Sequence, residues 1–142
     1  MARTTDVNVI PGIRYEDAPA AIEWLKKAFG AEPGLVVPGE EEGTIAHAQL
    51  RLGTGMIMLG TIRRHAGGFD DLTTTVKEAG GRCTQTLYVI VDDPDAHHER
   101  AVAAGAEVVL PPVDQDYGGR SYTCRDVEGN VWTFGNYDPY AS

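Results

Sequence analysis

Apolar and polar residues follow a helical period in one stretch near the start of the chain. Within Ala18–Phe29 the apolar side chains recur at intervals of three and four residues, and the charged ones fall on the opposite side. Asp17 stands where an N-cap residue is expected, and Gly30 stands where a left-handed residue ends a helix. The pattern predicts an amphipathic helix over Ala18–Phe29.

The same order of signals returns in the second half of the chain. The triplet Gly30-Ala31-Glu32 recurs as Gly105-Ala106-Glu107, which is 105 − 30 = 75 residues later. A second helix is expected over 94–104, with Asp93 or Asp95 as its cap. Strand-like runs flank both helices, at 12–16, 34–37, 45–52 and 56–61 in the first half and at 87–91, 107–110, 120–125 and 131–137 in the second.

These elements predict an α+β fold made of two βαβββ modules. The modules cover about 7–62 and 84–138 of a single domain, 1–142. Pro111-Pro112 is expected to be a turn that ends one of the strands. The stretch 63–83, which contains two glycine pairs, joins the modules as a plain linker or as a lid over a site, and a short helix over 70–78 is possible.

Several of these motifs, in this order, are typical of one superfamily. They are Tyr15-Glu16-Asp17, Val91-Asp92-Asp93, His47-Ala48-Gln49-Leu50 followed by Gly53-Thr54-Gly55, Gly118-Gly119-Arg120, and the run from Asp126 to Trp132. The chain therefore resembles the vicinal oxygen chelate superfamily of glyoxalases, bleomycin resistance proteins and extradiol dioxygenases. The resemblance implies that the modules form an incompletely closed barrel around a cleft, within a homodimer.

Enzymes of that superfamily hold a divalent metal on the first and last strands of their modules. Counted from the motifs, these positions fall on Ile10 and Met58 in the first module and on Thr86, or Gln85, and Thr133 in the second. Carboxylates and imidazoles are the usual protein ligands of such metals. The resemblance is thus to a metal-free, bleomycin-resistance-like branch, and neither a metal nor another cofactor is expected.

Candidate ligand-binding residues follow from strand alternation, because side chains two residues apart share a face. The inward set comprises Ile10, Gly12, Arg14, Met56, Met58, Thr86, Tyr88, Thr133 and Gly135. The aromatic residues Trp24, Trp132 and Phe134 are expected to pack between helix and sheet instead. For the two methionines, core packing and an adaptable pocket are equally good interpretations.

Histidine and cysteine offer little further chemistry. His47, in the middle of a predicted strand, either plays a structural role or contacts a ligand. His97 and His98 are expected on the solvated face of the second helix, and Cys124 is expected to be an inert, half-buried thiol. No catalytic residue is identified.

Composition narrows the partners and the compartment. A formal net charge of −9 at pH 7 disfavours nucleic acid and anionic membrane surfaces, which bind clustered Lys and Arg. Two cysteines without CxxC spacing, and no signal-like apolar run over residues 1–6, favour the cytoplasm.

Two classes of function remain open. The first is a small-molecule binding protein that sequesters a drug or natural product without metal catalysis. Its acidic balance would suit a bulky cationic or metal-chelating ligand held within a homodimer. The alternative is an atypical metal-dependent lyase, isomerase or dioxygenase of the same superfamily.

Overall fold

Both halves of the chain fold as a strand, a helix and three further strands. The computed structural model describes Arg3 and residues 6–141. Most of residues 1–6, for which no signal-like apolar run is predicted, therefore lie outside the described residues. The first half contains β1 (Gly12–Tyr15), α1 (Ala18–Phe29), β2 (Glu32–Pro38), β3 (Ile45–Leu52) and β4 (Gly55–Thr61). The second contains β5 (Leu87–Ile90), α2 (Pro94–Ala103), β6 (Glu107–Asp114), β7 (Arg120–Arg125) and β8 (Val131–Gly135).

The eight strands form two mixed sheets of the same topology. The first has the order β1-β4-β3-β2, with β1 parallel to β4, and the second has the order β5-β8-β7-β6, with β5 parallel to β8. Within residues 6–141 no strand pairing joins the two sheets, so together they form an incompletely closed barrel. The predicted α+β fold of paired βαβββ units is confirmed.

Both helices begin and end on the residues that local chemistry favours. The Asp17 carboxylate accepts a hydrogen bond from the backbone N–H of Ala20 at 3.1 Å, and Gly30 ends α1 with a φ of 70°. In α2 the carboxylate of Asp93 accepts from Ala96 N–H at 3.1 Å, so Asp93 is the cap. The bounds of α1 agree with the prediction, and α2 ends one residue early.

Strand β6 runs through the predicted turn at Pro111-Pro112 and ends at Asp114. Two prolines are tolerated there because β6 lies at an edge of its sheet, where one side of the strand needs no hydrogen-bond donors. The pairing of β6 with β7 shifts register between Leu110 and Val113, and this shift accommodates the two prolines. The prediction of a turn at this point is wrong.

The connection, meaning the residues between β4 and β5, forms a short 3₁₀ helix at Gly68–Leu72 in place of the possible α-helix over 70–78. Thr73 leaves this segment with extended backbone angles (φ −129°, ψ 166°). Three successive β-branched threonines follow the segment, and such residues favour extended backbone over helix.

The hydrophobic core spans both halves. Trp132 and Phe134 of β8 are fully buried, and the ring of Phe29 from α1 lies 5.2 Å and 4.6 Å from their centroids. Trp24 donates from Nε1 to the carbonyl of Ala104 at 2.8 Å, which joins α1 to the end of α2. No helix in the described part of the chain is long and apolar enough to cross a membrane.

A buried carboxylate ties the turn between β7 and β8 to the first half. Asp126, 6% exposed, accepts the hydroxyl of Tyr15 at 2.7 Å and Trp132 Nε1–H at 3.1 Å. Burial, and then the Asp126 charge, raises the pKa of Tyr15 well above its ordinary value. Beside it, the Glu128 carboxylate accepts the backbone N–H groups of Glu16 and Asp17 at 2.6 Å and 2.8 Å. The start of α1 is therefore held from the other half of the molecule.

His97 does not lie on a solvated face, so that prediction is wrong. Its ring stacks on Phe134 with centroids 3.9 Å apart, and its Nδ1 lies within hydrogen-bond distance of the Tyr122 hydroxyl. Burial, with a smaller contribution from Arg100, lowers the pKa of His97 from 6.5 to about 4. The helical periodicity did not indicate that His97 packs against the core. The helix α2 contains few large apolar residues, and His97 occupies a position where one would be expected.

Candidate functional site

A cleft of about 620 Å³ opens between the two halves, and it is called the inter-sheet cleft below. Its walls are the edge strands β1 and β5, the turn leading into β4, and the part of the connection from Thr74 to Thr86. Edge strands can form such walls because their outer sides are not covered by another strand. The volume lies within the range of small-molecule sites.

Four of the predicted ligand-binding residues line this cleft. They are Arg14 on β1, Met56 on β4, Thr86 just before β5, and Tyr88 on β5. Gly12 of the inward set also lines it. Ile13, Leu87 and Val89 line it as well, so alternation alone does not select the lining, and ligand contact by these residues stays a prediction.

The other three predicted residues, His47, Met58 and Thr133, lie outside the lining of the cleft. They are half-buried on the sheet faces that point away from the helices, His47 and Met58 on the first sheet and Thr133 on the second. His47 Nε2 is 3.1 Å from the side-chain amide of Gln49, and the Thr133 hydroxyl is 2.8 Å from that of Thr123. Since no strand pairing joins the two sheets within residues 6–141, Thr133 is separate from the sheet that carries His47 and Met58.

Arg14 is the charged group with the most unusual surroundings. Its guanidinium carbon lies 4.9 Å from the centre of the Phe69 ring, and its Nε is 3.6 Å from a carboxylate oxygen of Asp70. That separation is too long for a hydrogen bond, and the buried Nε has no acceptor among the described residues. A buried donor without an acceptor is costly, and the Asp70 carboxylate offsets that cost only through its charge.

Tyr88 holds the equivalent corner of the second half. A side chain on Gly135 would come within 2.8 Å of the Tyr88 hydroxyl, just as one on Gly60 would meet the Arg14 guanidinium. The Tyr88 hydroxyl donates to the carbonyl of Tyr137 at 2.7 Å, and burial raises the pKa of Tyr88. Each sheet thus uses a glycine to seat a large side chain at the cleft.

The sequence left the connection open as a plain linker or a lid over a site, and in the structure part of it forms a wall of the cleft. Thr75, 2% exposed, donates its hydroxyl to the Glu16 carboxylate at 2.8 Å, and this bond is the main cause of the lowered pKa of Glu16. With the connection anchored in this way, Val76 and Arg82 line the cleft. Trp132, expected to pack against a helix, is fully buried and also borders the cleft. The glycine pairs marked the connection as irregular, but no periodicity indicated where it lies.

The residues at the metal positions of related enzymes do not fit a divalent metal. Ile10 offers no donor atom, Met58 offers a thioether, Thr86 and Thr133 offer neutral hydroxyls, and Gln85, the alternative to Thr86, offers a single neutral amide oxygen. Across Arg3 and 6–141, no group of three or more His, Cys, Asp and Glu side chains is placed to hold a metal ion.

Comparison with known proteins gives one consistent family. The family model of the Glyoxalase/Bleomycin resistance protein/Dioxygenase superfamily matches this chain over residues 8–134. An uncharacterized protein of Mycobacterium bovis is 33% identical over 136 residues, which cover 95% of this chain and 86% of that protein. An uncharacterized protein of Mycobacterium tuberculosis is also 33% identical, over 95% of this chain and 77% of its own length.

Solved structures agree with the family match. TioX from Micromonospora sp. ML1 is 34% identical, covers 93% of this chain and 99% of its own, and superimposes with a TM-score of 0.71. The fosfomycin resistance protein FosX from Listeria monocytogenes, solved with Mn(II) and sulfate, is 13% identical and covers 96% of each chain with a TM-score of 0.66. At that identity the similarity to FosX extends to the fold alone.

Proposed function

Since the chain belongs to the Glyoxalase/Bleomycin resistance protein/Dioxygenase superfamily, we propose that it binds a small organic molecule in the inter-sheet cleft and sequesters it, as a drug or natural product, without metal catalysis. The observation that carries the proposal is the cleft itself. It combines apolar surface from Met56, Tyr88 and Ile90 with the positive charge of Arg14.

The proposal assigns ligand contact first to the residues that line the cleft, namely Arg14, Met56, Thr86 and Tyr88. His47, Met58 and Thr133 lie on the open sheet faces, where they would contact a ligand held between two subunits. The alternative, a metal-dependent lyase, isomerase or dioxygenase, lacks support because the donor atoms at the family's metal positions do not suit a divalent cation.

We further propose that the partner is a second copy of the chain. Members of the superfamily often form dimers. The edge strands β2 and β6 expose apolar side chains that favour burial, with Leu35 54% and Leu110 60% exposed. Sedimentation analysis should give twice the mass of the chain, and Leu110→Glu should shift it toward a single copy. A mass of one chain at micromolar concentration would contradict this.

The cytoplasm is the proposed compartment, because Cys83 and Cys124 are both free. Burial raises the pKa of the Cys124 thiol to about 12, which makes it a poor nucleophile. This chemistry favours a packing role for Cys124 over a catalytic one.

A thermal-shift screen with a cleft-filling variant tests the binding function. A Cβ added at Gly12 would meet no atom within 4 Å, so substitution there starts in open space, and Gly12→Trp should place an indole ring in the cleft. A ligand present at about 100 times its Kd should stabilise the natural chain by about 2.7 kcal/mol. Gly12→Trp should abolish that stabilisation and Gly12→Ala should retain it. Equal stabilisation of all three chains would place binding elsewhere, and no stabilisation by any compound would count against the proposal.

A further inference from the structure

The charge of the inter-sheet cleft differs in sign from that of the whole chain. The chain carries 21 acidic and 12 basic residues, and on that balance a cationic ligand was expected. Among the described residues that line the cleft, however, the charged side chains are Arg14 and Arg82, and no Asp or Glu is present. The acidic residues that set the net charge therefore lie outside the binding walls.

The two arginines are compensated to different degrees. Arg14 has one carboxylate nearby, that of Asp70, at 3.6 Å from its Nε. Arg82 is exposed, and no residue in the described ranges forms an ion pair or side-chain hydrogen bond with it. The surface of the cleft thus carries an excess of positive charge. Charges at a partly enclosed, low-dielectric wall act on a ligand more strongly than the same charges on an open surface.

The rest of the lining determines what the charged group is attached to. Met56, Ile90 and Tyr88 provide thioether, aliphatic and aromatic contacts. Hydroxyl groups from Thr84 and Thr86 add polar contacts. Such walls favour a ligand with a large apolar body and few other polar groups.

From these walls we infer that the ligand of the cleft is an organic anion, with an apolar body and one carboxylate, sulfonate or phosphate group that pairs with Arg14 and Arg82. The anionic group would pair with the two guanidinium charges, of which Arg14 has one carboxylate nearby, at 3.6 Å, and Arg82 has none among the described residues. This inference rests on the proposed function, since it specifies the ligand of the same cleft.

A matched pair of fluorescent probes tests it. Anilinonaphthalene sulfonate and N-phenylnaphthylamine share an aromatic body, and only the first carries an anionic group. Fluorescence titration of the natural chain should give a Kd at least about tenfold lower for the sulfonate, and added salt should reduce this advantage. Arg82→Gln should weaken sulfonate binding by about three- to tenfold and leave binding of the neutral probe unchanged. Arg14→Gln should act in the same way.

The control is Lys27→Gln, which removes one positive charge from an exposed position of α1 outside the cleft. It should leave both dissociation constants unchanged. Because Arg82 is exposed, its substitution is not expected to disturb folding, and near-ultraviolet circular dichroism checks this for every variant.

The outcomes separate this inference from the proposed function. If both probes bind equally, or the neutral probe binds more tightly, the cleft accepts organic molecules but the anion inference is wrong. If Lys27→Gln weakens sulfonate binding as much as Arg82→Gln does, the effect comes from overall charge, and the inference is again wrong. If neither probe binds and Gly12→Trp makes no difference to any ligand, both the inference and the proposed function fail.

Discussion

Replacing His97 by phenylalanine should remove a large part of the loss of stability at acid pH. His97 is stacked on Phe134 and accepts or donates a hydrogen bond with Tyr122, in surroundings that favour the neutral imidazole. Its pKa is lowered from 6.5 to about 4, so in the unfolded chain it binds a proton at a higher pH than in the folded chain. The contribution of His97 to stability is therefore fully present above pH 6.5 and is lost as the pH falls toward 4.

The size of the effect follows from the two pKa values. At pH 5 an unfolded histidine is almost fully protonated and the folded one is mostly neutral, which corresponds to a loss of about 2 kcal/mol relative to pH 8. Urea unfolding at pH 8 and pH 5 measures it directly. The free energy of unfolding should fall between pH 8 and pH 5 in both chains, and this fall should be smaller by about 2 kcal/mol in His97→Phe than in the natural chain.

Carboxylates elsewhere also titrate in this range, so the comparison between variants is what isolates His97. His98→Gln is the matched control, because it removes the neighbouring imidazole of the same helix, which meets Tyr122 edge-on. It should keep the pH dependence of the natural chain. If His97→Phe keeps that dependence as well, His97 is not the group that binds the proton.

Three further substitutions test the packing described above. Asp126→Ala should lower the free energy of unfolding by about 3 kcal/mol in urea titrations, because it leaves several buried donors without an acceptor. Glu128→Ala should cost about 1 kcal/mol and should speed amide hydrogen exchange at Glu16 and Asp17, just before α1, whose N–H groups its carboxylate accepts. Gly60→Ala should cost about 2 kcal/mol, since a side chain there would lie 2.9 Å from the carbonyl of Ala46. Gly12→Ala, with open space around it, should be neutral, and equal costs for the two glycine variants would refute the steric explanation.

The elements that could be predicted are those that local chemistry determines. The bounds of α1 follow from Asp17, the helical period and Gly30, all of which act within a few residues of one another. Strands β3 and β7 also match their predicted ranges. Pro111 and Pro112 were misjudged because only the sheet order shows that β6 is an edge strand.

The site could be predicted in part, for a related reason. Arg14 and Tyr88 lie on β1 and β5, which line the cleft along their length, but alternation did not separate them from their neighbours Ile13 and Val89, which line it as well. Arg82 was missed because it belongs to the connection, which has no period, and its place depends on the bond from Thr75 to Glu16. His97 was misjudged because its burial comes from Phe29 and Phe134, which are distant in sequence.

The contact between Glu128 and the residues just before α1 has a consequence for the order in which the protein folds. The hydrogen bonds from Glu128 to the N–H groups of residues 16 and 17 close loops of 112 and 111 residues. During synthesis, which proceeds from the N-terminus, α1 emerges long before these acceptors exist. The first half therefore acquires its full set of helix-terminal hydrogen bonds only when the turn before β8 has left the ribosome. The two halves contain similar elements, but they complete their folding together. The last contacts are made by the C-terminal hairpin of β7 and β8.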